Sequence, residues 1–263
     1  MKLLETKISG TEIIIFPIGD LHIGSPHCDL KIIAKQLEII KNTQNARIIL
    51  MGDLCETSLK DSVGAGVYEQ DSNPQEQIVK AKNLLYPFRD IIDGIVTGNH
   101  EERVYKNSGV DLSLYFAQIM GLEHKYMRYQ GIIKYTIYGR AYFVNVWHGV
   151  GGGGSAGASL NRLQKQSETI FADLYLMGHV HKRQVHTKNF FMPDPRHDKI
   201  DKVKQVFVVT GSALDYEDSY AEMAGMTPSD KGFTKIKFNT IVNHYIKDGR
   251  NKKNLIKSIT VEI

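Results

Sequence analysis

Cysteine is scarce in this chain of 263 residues, with only Cys28 and Cys55 present. So few thiols exclude a disulfide framework and point to a reducing compartment. Both are read as small buried residues. Long apolar runs are missing too. Stretches such as Ile13 to Phe16 fall far short of the roughly 20 residues that a membrane helix needs. No membrane association is expected. The start, MKLLETKISG, is interrupted by Glu5 and Lys7 and offers no apolar signal-peptide core. A cytoplasmic location is therefore expected. A strong excess of one charge is also lacking, since the net charge is +4 and the sequence pI about 8.8. That balance suits an anionic substrate without the clustered basic footprint of a dedicated nucleic-acid binder. The densest basic run, Lys247 to Lys257, reads as a solvated turn and strand edge. Apolar residues make up 42% and charged residues 24%, the composition of a soluble globular protein with a sizeable core.

Short β-branched runs alternate with helical spacing in the first half. Ile13 to Ile18, Arg47 to Met51 and Ile91 to Thr97 read as buried strands. Between them lie a helix from Asp29, a plausible N-cap, to Thr43, and another opened by Asn73-Pro74 and running to about Phe88. Ser58 to Asn73 reads as a long loop, and Asp111 to Met120 as a helix closed by Gly121. Ile132 to Tyr138 and Ala141 to Trp147 flank Gly139-Arg140 as a hairpin. A Gly-rich loop then leads to a helix over Leu160 to Phe171 and a strand over Asp173 to Met177. The rest reads as mostly β: Arg183 to Phe191, Gln205 to Thr210, Phe233 to Phe238 and Ile256 to Ile263. A Pro/Asp-rich connection (Met192 to Asp201) and a loop (Asp215 to Lys231) separate them. The pattern predicts one α/β domain over residues 1–263, with two packed sheets and helices outside them.

Five times a strand-like run ends in a polar cluster: Gly19-Asp20-Leu21-His22, Gly52-Asp53-Leu54-Cys55-Glu56, Gly98-Asn99-His100-Glu101, Trp147-His148-Gly149 and Gly178-His179-Val180-His181. Strand C-terminal ends are where open α/β sheets place ligands. Carboxylates, imidazoles and an amide oxygen suit Mn, Fe and Zn, and thiolates are absent from the set. The candidate set exceeds the needs of one ion and matches two, at the spacing of about 3.5–4 Å usual for phosphoester hydrolysis.

In order, these clusters resemble the calcineurin-like metallophosphoesterase superfamily, whose blocks are D-x-H, GD-x-x-(D/E), GNH-(D/E), H and GH-x-H. The resemblance spans residues 18–182 and also draws on bacterial and phage-type phosphodiesterases and DNA-repair-like nucleases. It implies a four-layer αββα sandwich, two mixed β-sheets flanked by helices, with a dinuclear metal site at the strand C-terminal ends. By this resemblance Asp20, His22 and His181 would hold one ion, Asn99, His148 and His179 the other, and Asp53 would bridge them. The cofactors implied are two divalent ions, Mn2+ first, with Fe, Zn or Ni as alternatives. A bridging hydroxide would be the nucleophile. His100 would be the acid, its ordinary pKa of about 6.5 suiting the task. Glu101 would orient that imidazole, and Glu56 would support the ligands from behind.

Arg103, three residues past His100, is a candidate for a substrate phosphate or for a structural ion pair. Gly151 to Gly154 lacks the Lys-Ser/Thr of a P-loop and reads as a loop shaping the cleft. Tyr126, Tyr129, Tyr135 and Tyr138 could stack on bases, or pack a β surface. His27, His124, His186, His197 and His244 are read as surface or core residues. The expected activity is phosphodiester hydrolysis on nucleotides or nucleic acid, with a phosphomonoesterase or protein phosphatase as the alternative. A non-catalytic metal-binding scaffold is the reading from a different class.

Overall fold

The run Ile13 to Ile18 carries no side chain that tolerates water, so it must be covered on both faces. The computed structural model describes residues 1–60, 62, 66–151, 155–196, 198–223, 225, 227–247 and 250–263. In it the strands are β1 (Lys2–Ile8), β2 (Glu12–Ile18), β3 (Ala46–Leu50), β4 (Ile92–Ile95), β5 (Gln130–Ile137), β6 (Arg140–Trp147), β7 (Leu174–Met177), β8 (Arg183–Asp194), β9 (Lys199–Ser212), β10 (Gly232–Phe233), β11 (Lys235–Lys247) and β12 (Arg250–Glu262). The main helices are α1 (Leu30–Lys41), α2 (Pro74–Leu85), α3 (Asn99–Ser108), α4 (Leu112–Ile119) and α5 (Ala156–Lys165). None of the described helices is long and apolar enough to cross a membrane.

Two mixed sheets result. One has the order β12-β11-β2-β3-β4, and the other runs β1-β5-β6-β7-β9-β10 with β8 also paired to β9. Alternation along the strands then sorts the side chains into layers. Ile13, Ile15, Ile49 and Met51 face Ile133, Tyr135, Val144, Val146, Leu176 and Val208 between the sheets. Phe16, Ile18, Ile48 and Leu50 point the other way, into the cluster that holds Ile33 and Leu37 of α1, Ile78 and Ala81 of α2, and Phe116 of α4. Tyr175, Met177, Phe207 and Val209 lie under Leu163 of α5 on the opposite outer face. Helix, sheet, sheet and helix thus stack as the αββα arrangement requires.

Local signals account for the helix starts. Asp29 caps α1, its carboxylate accepting from the N–H groups of Lys31 and Ile32 at 3.0 and 3.1 Å. Asn73 and Glu76 form a reciprocal capping box on α2, at 3.0 and 3.1 Å, with Pro74 at the first helical position. Strands β2, β3 and β4 end on one side of their sheet and β6 and β7 on one side of theirs, since each group pairs parallel, and donor sets drawn from both sheets bring the two sides together. The five polar clusters follow those ends.

Several elements differ from the expectation. Lys2–Ile8 is a strand, because parallel pairing with β5 supplies the support its mixed sequence lacks. Asn99–Ser108 is a helix that begins inside the Gly-Asn-His-Glu cluster. The helix expected over 160–171 runs over Ala156–Lys165 instead. The Pro/Asp-rich stretch 192–201 is mostly strand: β8 continues to Asp194 and β9 starts at Lys199, with Pro193 opposite Ile200 on the outer strand. The loops expected over Ser58 to Asn73, Gly151 to Gly154 and Asp215 to Lys231 lie partly outside the described residues, and His197 lies outside them.

Phe238 is fully buried between the sheets, stacked on Tyr142 at 4.9 Å and edge-on to Tyr135 at 6.0 Å. Phe238→Ala should cost about 3–5 kcal/mol in urea unfolding. A loss below about 1 kcal/mol would mean that this layer repacks freely.

Candidate metal centre

The loops that end the strands are bent into backbone conformations that L side chains avoid. Five of the seven expected ligands have positive φ: Asp20 at 49°, His22 at 51°, Asp53 at 49°, His179 at 70° and His181 at 54°. Each such residue costs on the order of 1–3 kcal/mol, and clusters of them mark functional sites. The two loops of the first sheet brace one another. Asp20 N–H donates to Gly52 O at 3.0 Å, and Leu21 and His22 N–H donate to Asp53 O at 2.9 and 3.1 Å. Gly98 is needed for close approach, because a Cβ there would overlap the Asp53 carboxylate and amide. At Gly178 a Cβ would lie 2.5 Å from Asp20 Oδ2.

Donor atoms from both sheets converge in the space this creates. Three sets each bring their donor atoms within 4.8 Å of one another: Asp20, His22 and His181; His22, Asp53 and His100; and Asp53, His148 and His179. His22 Nε2 faces His181 Nε2 at 3.1 Å, and His181 Nε2 is 3.3 Å from Asp20 Oδ1. Asn99 Oδ1 lies 3.0 Å from His148 Nε2 and 2.7 Å from His179 Nδ1. His148 Nε2 is also 3.2 Å from Asp53 Oδ2. All seven expected ligands are thus brought together.

The far sides of the rings are held. His22 Nδ1 is 3.0 Å from Glu56 Oε2, and His148 Nδ1 is 2.7 Å from Met51 O. Such partners fix the tautomer and aim Nε2 inward. This chemistry fits divalent ions: hard oxygens and oriented imidazoles, with the thiols left out. Cys55 is buried, and burial pushes the partly covered Cys28 thiol up to about 12.

Burial opposes charge on the carboxylates, but the imidazoles win. The His181 hydrogen bond and the charges of His148 and His181 bring Asp20 below the usual range. His148 and His100 bring Asp53 well below it. Burial likewise opposes ionised Glu56, yet the His22 hydrogen bond and charge hold it at about 2, while His22 is correspondingly raised. Burial alone would lower His148, but the charge and hydrogen bond of Asp53 raise it to about 10.

Two expectations need correction. Glu101 does not orient the His100 ring. Its Oε2 accepts from the N–H groups of Asp53 and Gly98 at 3.0 and 3.1 Å, and its Oε1 from Cys55 N–H at 3.1 Å. It fastens the Asp53 loop to the start of α3. The ring is instead held by Glu56, whose carbonyl lies 2.8 Å from His100 Nδ1 and whose Oε1 lies 3.4 Å away. Nor does His100 titrate near its ordinary value, because burial pulls it down to about 4 despite the nearby Asp53. Arg103 has no hydrogen-bond or ion-pair partner among the described residues. Burial lowers its pKa, opposed by Glu56, Asp53 and Glu101. Nothing in the sequence points to Met51 O, to the Glu56 carbonyl, or to Thr57, whose hydroxyl donates to His100 O at 2.6 Å. Main-chain partners of this kind leave no mark on residue identity.

No family model and no curated protein matches the chain. Among solved structures it is similar to a point mutant of Vps29 from Entamoeba histolytica, at 16% identity and a TM-score of 0.47, over 94% of this chain and 99% of that one. It is also similar to a predicted phosphoesterase from Streptococcus pneumoniae TIGR4, at 11% identity and a TM-score of 0.38, over 93% of this chain and 98% of that one. Likeness this distant concerns the course of the chain alone, and what the site can do is read from its own atoms.

Two outcomes follow from the geometry. Without metal, both His148 nitrogens face acceptors, so the ring is an imidazolium at neutral pH, and a ligand nitrogen must be deprotonated. Its pKa is about 10 against an ordinary 6.5, so the stability it contributes is complete below pH 6.5 and lost as pH rises toward 10. Metal uptake at pH 7 should release about one proton from this group, read by calorimetry in buffers of different ionisation heat. Zero release would show a neutral ring. Gly98→Ala should lower metal content, measured by elemental analysis, while the far-UV circular dichroism is retained.

Proposed function

We propose that this chain is a metal-dependent phosphoesterase. Asp20, His22 and His181 would hold one divalent ion and Asn99, His148 and His179 the other, with Asp53 shared. The observation that carries this reading is that Asp53 belongs to two donor sets, one with His22 and His100 and one with His148 and His179. A pair of dications there would supply Lewis acidity that makes water nucleophilic at neutral pH and offsets phosphoryl charge. Mn2+ is the proposed activator, and a diester of a nucleotide or nucleic acid the favoured substrate.

The chain's own residues would do the rest. His100 stands beside Asp53, its Nε2 4.0 Å from Oδ2 and its Nδ1 tied to Glu56. In the free protein the ring is neutral at pH 7, with a pKa of about 4. An incoming phosphate would raise that value by its negative charge, so the ring would be loaded with a proton as substrate binds. That proton would pass to the leaving ester oxygen as water adds to phosphorus. Arg103, without a partner among the described residues, would take a non-bridging phosphate oxygen. Glu101 and Glu56 would keep Asp53 and His100 in register.

Asp53→Ala should lose both metal and turnover. His100→Ala should keep the metal and lose about 10²–10⁴-fold in kcat on a Mn-supplemented panel of monoester, diester, cyclic nucleotide and DNA substrates. Full turnover by His100→Ala would remove the acid assignment. Bound metal with no turnover on any ester would favour a non-catalytic scaffold.

A further inference from the structure

Four tyrosines could stack on bases, and three are poorly placed for it. Tyr135 is fully buried, Tyr126 is half-buried with its hydroxyl donating to the Asp111 carboxylate at 2.9 and 3.1 Å, and Tyr138 lies in the β5–β6 turn, at the opposite end of β6 from His148. Tyr129 is different. Its ring is 47% exposed and stands 4.8 Å from the Arg128 guanidinium, whose other neighbour is the Tyr105 ring at 5.1 Å, itself 37% exposed. The three side chains form a cation–π stack that stands in solvent. Arg128 takes a left-handed backbone to reach it, with φ 63°. The Tyr129 hydroxyl donates to Glu102 at 2.9 Å, which fixes the ring.

The stack is tied to the metal centre on two sides. The Arg128 carbonyl accepts from Thr97 N–H at 2.7 Å, two residues before Asn99. Gln130, next to Tyr129, pairs with Trp147, the residue before His148. A rigid exposed stack of ring, guanidinium and ring costs little ordering on binding. It offers a flat face that any unpaired base can cover. Its charge, with the unpartnered Arg103 on α3, matches a phosphodiester strand.

We propose that the Tyr105–Arg128–Tyr129 stack is a base-stacking platform, and that the substrate of the adjoining site is a single-stranded nucleic acid with a flanking base on Tyr129. The proposal names a substrate class for the phosphoesterase reading and rests on it. A duplex, whose bases already stack on one another, presents no free face and binds less well.

The test uses the full chain in chelator, so that binding is measured without turnover. The probes are fluorescein-labelled 12-residue thymidine and uridine oligonucleotides, followed by fluorescence anisotropy. Tyr129→Ala should weaken binding of both about tenfold. Tyr129→Phe, which keeps the ring, should bind as the native chain does, and so should Tyr115→Ala, an exposed tyrosine on α4. Thermal melts by circular dichroism establish that the variants are folded. Equal binding by native chain and Tyr129→Ala, equal loss in Tyr129→Phe, or a duplex bound as tightly as the single strand would each overturn the platform. Because no metal is present, the result is independent of the hydrolysis tests. Stacking-dependent binding without turnover would leave the platform and remove the phosphoesterase, and turnover without such binding would do the reverse.

Discussion

The Asp53 carboxylate lies out of water, and its negative charge decides what its neighbours can be. It accepts from the His100 main-chain N–H at 2.9 Å, holds His148 as an imidazolium, and with burial keeps the Glu101 carboxyl above its usual range. Asp20, Asp53, Glu56 and Glu101 are all buried in one small region. Such a concentration of acids is tolerable only with positive charge among them. Imidazolium rings supply it in the protein alone, and divalent ions would supply it in the proposed working form. The same residues that make the centre attractive to metal make it dependent on protons without one.

The site lies where the two sheets meet. Asp20, His22 and Asp53 come from loops of one sheet and Asn99 from the start of α3 behind its β4, and His148, His179 and His181 come from loops of the other. The apolar layer between the sheets sets how far apart these halves stand. Close packing at Ile15, Met51, Val146 and Leu176 therefore becomes a geometric requirement of the chemistry. Gly98 and Gly178 let the backbones approach within the length of a side chain, and the left-handed residues turn their donors inward. Strain of this kind persists only because the surrounding strands over-determine it.

Much of the fold was legible because burial leaves a pattern. The run at 13–18, the Asp29 cap and the Asn73-Pro74 start carry their structure in local sequence. Lys2–Ile8 carries it only weakly, since on this edge strand the inward residues Leu4, Thr6 and Ile8 are just half-buried and Glu5 and Lys7 stand on the exposed side. α3 was hidden because its first turn is the metal-binding cluster itself, whose Gly and Asn read as punctuation. The Pro193 region reads as a connection for a related reason, as a proline on the outer strand of a ribbon disturbs no ladder beyond it.

For the site, the sequence determined the ligand types and their order, because donor chemistry resides in the side chain and the strand ends are marked by glycine. Tertiary structure decided the rest. It placed Glu101 on three main-chain amides and not on His100, gave His100 to the Glu56 carbonyl, moved its pKa to about 4, and set Tyr129 apart from the tyrosines around it. Those outcomes depend on which backbone atom stands opposite a side chain, and on how much water reaches it. Both are fixed by segments distant in the chain, so no local pattern of residues could encode them.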